Sequence, residues 1–237
     1  MKEGGAVAGV DGCRAGWVVV TVGPEPGEAR LELVAEIDVL LGRLAGGALA
    51  AAAVDMPIGL PAVGARACDR EARALLGPRR SSVFPTPIRA LLGAASYPEA
   101  LALARRIDGK GLSKQAFNLL GKLAELDAAI ARHGRCGLAE ASPEVAFALM
   151  RGAPCEHPKR TAAGRAERLA ALDGALAGLA ASLGALDPRR APRGAAPDDV
   201  LDACALVWTA CRVMRGEARR LGDGARDPRG LLMEVVA

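Results

Sequence analysis

Asp11, Asp55, Glu140, Glu144, Asp198, Asp199 and Asp202 are the side chains of this 237-residue chain whose type and setting can do chemistry. Asp11 interrupts a valine-rich run, VAGVDGCRAGWVVV (7–20), and Asp55 ends a second apolar run, LAAAAVD (49–55). The third setting is PDDVLDACALVWTACRVM (197–214), a helix apolar nearly all round that must be buried against other structure. Asp202 falls inside it, on one face with Asp198 and Asp199, where like charges repel by roughly 0.2–0.5 kcal/mol even on a surface. Something positive therefore belongs beside them.

Each acid also has a plain reading. Asp-Gly is a common turn pair between strands, and Asp55 can simply end its strand. Asp198 and Asp199 follow Pro197, where capping and the helix dipole favour acids; Glu144 follows Pro143 in the same way. Asp202 is harder to dismiss, because it sits a turn further in among apolar neighbours. Together, two acids at strand ends and one to three on a late buried helix form the arrangement that a divalent metal site requires. Mg²⁺ and Mn²⁺ take carboxylate oxygens and water, and a pair of such ions about 4 Å apart can clamp the attacking and leaving oxygens of a phosphodiester. Neither His133 nor His157 has a motif around it, so no Ser–His–Asp or Cys–His arrangement competes.

The elements that must position these acids follow from periodicity. Residues 6–11 and 17–22 are apolar strands, and the alternation in RLELVAEI (30–37) adds a half-exposed third. Pro24, Pro26 and Gly27 punctuate the way into it. Asp38 caps a short helix through about Leu44, and 49–55 is a strand buried on both faces. From about 64 to 133 the period turns helical, giving a helical insert whose first two helices are separated by an ordered, proline-pinned loop, GPRRSSVFPTPIRALLG. CGLAEA (136–141) is a short fifth strand bearing Glu140, and a helix starts at Pro143. Another helix spans Thr161 to about Leu183, DPRRAPRGAAP is a linker, the last long helix runs from about Asp198 to Arg215, and LLMEVVA adds a closing edge strand. Three antiparallel strands, a helix, a fourth strand, then helices with a fifth strand predict an α/β domain spanning residues 1–237, with a mixed five-stranded sheet flanked by helices.

Composition bounds the function. Apolar residues at 51% and charged ones at 24% describe a chain that folds without staples. A net charge of +4 permits a polyanion partner without arguing for one, and 3% aromatics disfavour a stacking-based single-strand binder. The six cysteines form no CxxC pair and read as reduced and mostly structural, Cys13 included. With no signal-like N-terminus and no membrane-length apolar run, the expected location is the cytoplasm. A homo-oligomer is compatible with the sequence but unsupported by it.

The segments GVDGCRAGW, VDMPIGLP, SSVFPTP, LSKQAFNLLGKLAELD, EASPEVAF, KRTAAGRAERL and DDVLDACALVWTA, in this order over nearly the whole chain, resemble the predicted ribonuclease-H-like nucleases of domain of unknown function family 429. The resemblance implies a ribonuclease-H-like fold and metal-dependent cleavage of nucleic acid with Mg²⁺ or Mn²⁺. It carries over Asp11 as the first-strand acid, Asp55 as the fourth-strand acid and Asp199 with Asp202 as the late-helix pair, all catalytic metal ligands. Glu140 and Glu144 match the acids of an E-x-x-P-E segment, Glu140 as a further ligand. Ala15 departs from the pattern, which commonly has a second glycine in that turn.

Arg14, Ser81, Ser82, Lys114, Gln115, Lys159 and Arg168 lie within the same segments, and Arg79 and Arg80 directly precede SSVFPTP. They are candidates for positioning phosphates, which Arg does through its bidentate fork, against a plain reading as solvated surface charge. RRSSVFPTP (79–87) suits an anion best. The first expectation is thus a hydrolase, a metal-dependent nuclease with water as nucleophile. Two alternatives stand beside it: an ATP-binding phosphotransfer protein of the sugar-kinase and actin-like branch, whose phosphate hairpin DGCRAG would match, and a non-catalytic binding module of the same fold.

Overall fold

A computed structural model describes residues 5–25, 28–179 and 191–237. Strands β1 (Val7–Cys13), β2 (Gly16–Val22), β3 (Ala29–Val34), β4 (Ala51–Val54) and β5 (Leu138–Glu140) form one mixed sheet in the order β3-β2-β1-β4-β5. The β1–β2 and β2–β3 pairs are antiparallel, and β1–β4 and β4–β5 are parallel. This is the mixed five-stranded α/β sheet expected of the ribonuclease-H-like class.

Helices α1 (Ile37–Ala45), α2 (Ala67–Leu76), α3 (Tyr97–Asp108), α4 (Lys114–His133), α5 (Pro143–Arg151), α6 (Ala162–Ala175) and α7 (Pro197–Arg215) complete the layers. Strand alternation sorts the sheet's side chains to two cores. Ala8, Val10, Trp17, Val19, Ala52 and Val54 pack with α1 and α4. On the opposite face Val7, Cys13, Val18, Val20, Ala51 and Ala53 pack under α7, with Phe147 of α5 and Leu172 of α6. The last helix of the 64–133 insert, α4, is thus a covering helix of the sheet itself, through Leu120, Leu123 and Leu126.

Several boundaries differ from the sequence reading. The strand bearing Asp11 does not turn at Gly12: it runs on to Cys13, and the hairpin closes at Arg14–Ala15 with Gly16 at φ +146°. Asp11 pairs opposite Val18 in the ladder, so it is a strand residue and not a turn residue. β3 stops at Val34, because Ile37 already starts α1. The loop 77–93 contains two short 3₁₀ segments, Gly77–Ser82 and Arg89–Gly93. α6 ends at Ala175, well short of Leu183; residues 180–183, part of the 187–197 linker, and Pro26 with Gly27 lie outside the described residues. At the C-terminus β7 (Val235–Val236) pairs with β6 (Arg220–Leu221) in a separate ribbon, and the Ala141–Val236 bridge joins it to the β5 side of the sheet. All six cysteines are free, with Cys13, Cys68, Cys155 and Cys204 buried. Among the described residues no helix is long and apolar enough to cross a membrane.

Gly9 decides how closely α7 approaches the sheet. A Cβ built there would lie 2.0 Å from the carbonyl oxygen of Ala203 and 2.4 Å from the amide nitrogen of Val207. Only a glycine lets the α7 backbone rest directly on β1. Asp202 is thereby held against the strand that carries Asp11.

Candidate functional site

The parallel register of β1 and β4 sets Val10 opposite Val54, and the ladder continues with the Asp55 amide donating to the Val10 carbonyl at 3.0 Å. The next residues along, Asp11 and Asp55, are therefore neighbours at the ends of adjacent strands. Both share the parity of residues under α7, Val7 and Gly9 on one strand and Ala51 and Ala53 on the other. Asp202, 2% exposed, descends from α7 on that same face. Three acids distant in sequence are brought together at one end of the sheet.

They line a cleft of about 370 Å³ with Gly12, Met56, Ser142, Pro143, Glu144 and Asp199. Arg79, Ser81, Ser82, Phe84, Gln115, Leu119 and Lys159 form the rest of its wall. Burial is the main electrostatic cost here. Together with the charges of Asp55, Asp202 and Asp199, it holds Asp11 well above the usual carboxylate range. Burial and Asp202 push Asp55 up to about 7. Burial pushes Asp202 up to about 6, against the pull of Lys159.

One cation reaches into the cluster. Lys159 Nζ donates to Asp202 Oδ2 at 2.5 Å, and burial, which alone would lower its pKa, is outweighed by the charges of Asp202, Asp11 and Asp55. A second cation stands behind it. Arg168, fully buried, donates to Glu144 Oε1 at 2.5 Å and to the carbonyls of His157 at 3.1 Å and Gly164 at 2.8 Å. Neither cation satisfies the whole cluster, since Asp202 Oδ1 and Glu144 Oε2 are buried without a hydrogen-bond partner among the described residues. Orphaned buried oxygens are costly and rare in folded proteins.

The donor set fits a hard divalent cation: carboxylate oxygens, two of them unsatisfied, beside a polar cleft. No group of three or more His, Cys, Asp or Glu side chains among the described residues is already gathered closely enough to grip an ion. The cation in contact with Asp202 is Lys159.

The other expected residues divide. Asp199 lines the cleft, and its Oδ2 also accepts the Ala196 amide at 2.7 Å, the capping role open to it from sequence. Asp198 faces Arg160 at 3.8 Å. Glu140 is not free to act as a ligand. It pairs opposite Val54, with the parity of Leu138, and so points to the face away from Asp55. There its Oε1 takes Arg66 at 2.5 Å, and its Oε2 takes Arg66 at 2.7 Å and the Ile58 amide at 2.6 Å. Glu144, four residues past the strand, supplies the acid that Glu140 does not. Arg79, Ser81, Ser82 and Lys159 gather in the cleft with Gln115, whereas Arg14, Arg80 and Lys114 are exposed and outside its lining. Met56, Phe84 and Leu119, which complete the wall, carry no chemical signature in sequence.

No curated protein and no solved structure matches the chain. A family model does match, over residues 9–227, a span that contains every acid of the cleft. The chain belongs to the family described as Protein of unknown function (DUF429).

Proposed function

We propose that this protein is a divalent-metal-dependent nuclease that hydrolyses phosphodiester bonds of DNA or RNA. The observation that carries the reading is the pair of partnerless buried oxygens, Asp202 Oδ1 and Glu144 Oε2, in a cleft that also holds Asp11 and Asp55. Buried oxygens of this kind call for a cation or ordered water. Asp11, Asp55, Asp202 and Glu144 would hold Mg²⁺ or Mn²⁺, with Asp199 at the rim. Such an ion supplies Lewis acidity toward a phosphoryl oxygen and lowers the pKa of water at neutral pH.

The remaining lining suits the same substrate. Arg79, Ser81, Ser82, Gln115 and Lys159 offer donors to phosphate oxygens in the same cleft as the carboxylates. Phe84, Leu119 and Met56 give an apolar surface for a sugar or base.

The test uses purified protein with labelled single-stranded, duplex, hybrid and branched oligonucleotides, in Mg²⁺, Mn²⁺ or chelator. Cleavage is expected only with metal, and Asp11→Asn or Asp202→Asn should abolish it without lowering the melting temperature in chelator. Cleavage that persists in chelator and survives both substitutions sinks the proposal. Stabilisation by ATP with Mg²⁺, absent with every oligonucleotide, would favour the phosphotransfer reading.

A further inference from the structure

The charges around the cleft do not balance. Asp11, Asp55, Asp199, Asp202 and Glu144 face Arg79, Lys159 and, behind Glu144, Arg168. Among the described residues, five carboxylates against three cations leave an excess of two negative charges when all are ionised. One divalent ion neutralises that excess, whereas two would leave the cleft as positive as it is now negative.

The geometry divides the same way. A carboxylate that bridges two cations gives one oxygen to each. Asp202 already gives Oδ2 to the Lys159 ammonium at 2.5 Å, while its Oδ1 is buried and partnerless. Glu144 repeats the pattern, with Oε1 on Arg168 and Oε2 empty. In each case one place beside the carboxylate is filled by a protein cation and the other is open.

Lys159 is delivered to this position by a fixed backbone. The preceding His157 carbonyl accepts from buried Arg168 at 3.1 Å, and the Pro158 carbonyl accepts the Thr161 amide at 3.0 Å and its Oγ1 at 2.8 Å. Thr161 then caps α6 by accepting the Gly164 amide at 3.0 Å. Gly164 allows the close approach, since a Cβ there would lie 2.0 Å from the Pro158 carbonyl oxygen. A lysine serving only as surface charge needs no such anchorage.

We propose that Lys159 is a built-in cation of the site: its ammonium holds the place that a second metal ion would take against Asp202, so the cleft accepts one divalent ion and not two. This deepens the metal-dependent reading above and rests on it. Lys159 positions charge for the chain's own acids and restricts metal stoichiometry.

The experiment counts Mn²⁺ bound to the full chain by titration calorimetry, with free Mn²⁺ followed by electron paramagnetic resonance, on wild type, Lys159→Met and Lys159→Arg. One ion is expected on the wild type, two on Lys159→Met, and one again on Lys159→Arg. Melting curves serve as the control for folding. In chelator Lys159→Met should melt below wild type, and saturating Mn²⁺ should close the gap, whereas a lysine with only a structural role would leave a gap that metal does not move. Two ions on the wild type, or one ion on a folded Lys159→Met, overturns the inference while leaving a metal site in place. No Mn²⁺ on any of the three proteins overturns both this inference and the metal-dependent reading. Should Lys159→Met fail to fold even with Mn²⁺, the count on wild type and Lys159→Arg decides alone.

Discussion

Asp202 and Asp227 are both buried aspartates, and the fold treats them in opposite ways. Asp227, 5% exposed, has both oxygens filled: Oδ2 takes the Leu60 amide at 3.0 Å and Arg89, and Oδ1 takes the Arg229 and Leu231 amides, each at 2.9 Å. Among the described residues Asp202 has one hydrogen-bond partner, Lys159, and an empty oxygen. The electrostatic consequences diverge. Arg89 and the backbone donors hold Asp227 below the usual carboxylate range despite the cost of burial, whereas burial pushes Asp202 up to about 6. A saturated acid is a fastener: it pins the 225–231 loop to Leu60 and, through Arg89, to Asp127 of α4. An unsaturated one is an open valence, retained at a cost that only a ligand can offset.

The largest expected effect lies on the saturated side. Asp227→Ala strands four donors and leaves Arg89 with Asp127 alone, and removing one partner of a buried pair costs about 3 kcal/mol at the low end of such changes. For a chain of this size that is a fall in melting temperature of roughly 6–12 °C, read by calorimetry. Asp202→Asn should do the reverse. It removes a charge that burial and Glu144 disfavour, so the melting temperature in chelator should hold or rise. Mn²⁺ affinity should fall by at least about a hundredfold, since even residues that only support a ligand cost 10–100-fold. Equal destabilisation by both substitutions would erase the distinction between fastener and open valence.

How much of this contrast was legible in the sequence depended on where the information sits. Asp11, Asp55 and Asp202 stood out because each breaks an apolar run, a local signal. That Asp11 faces Asp55 depends on the Val10–Val54 register, and that α7 can reach them depends on Gly9; neither fact is local. The face that Glu140 takes is not legible, because its strand has three residues, too few for alternation to reveal it. Lys159 sits in a polar segment, HPKRT, with nothing in the neighbouring residues to aim it at an aspartate 43 positions away; Arg168 and the Thr161 cap supply the aim. The loop at 79–87 was legible as a cluster but not side chain by side chain. In its 3₁₀ turn, Arg79 and Ser82 fall three apart on one side, and Arg80 is left outside the cleft.

The pH dependence of stability sharpens the same contrast through its sign. Asp11, Asp55 and Asp202 have folded-state pKa values raised above their ordinary values, so their contribution is fully present below about pH 4 and is lost as pH rises through about 6 for Asp202 and about 7 for Asp55. Asp227 is lowered, so its contribution is present above the ordinary carboxylate value and is lost as pH falls through the folded value. In chelator the protein should therefore lose stability both on acidification below pH 4 and as pH rises from about 4 to about 7. Asp55→Asn should flatten only the second limb, with a gain on the order of 2 kcal/mol at pH 8 after solvent screening, less than half of that at pH 5 and little at pH 4. Thermal melts of the two proteins across that range check it, and parallel curves would show that the cleft charges are already neutralised without metal.

The smallest effect tests whether the contrast between filled and open groups extends from acids to bases. Arg79 lines the cleft with its Nε buried and partnerless, although its Nη2 approaches the His157 carbonyl at 3.4 Å; Arg80, next in the chain, is exposed and outside the lining. Charge alone treats the two alike. If an open donor marks a phosphate position, Arg79→Ala should weaken binding of a labelled oligonucleotide, measured in Ca²⁺, by roughly three- to tenfold and reduce the slope of log affinity against log salt by about 1. Arg80→Ala should change neither quantity beyond error, nor should Lys114→Ala. Equal losses from Arg79 and Arg80 would mean that the polyanion is held by diffuse surface charge, and the cleft wall would then lose its role in choosing where the phosphate sits.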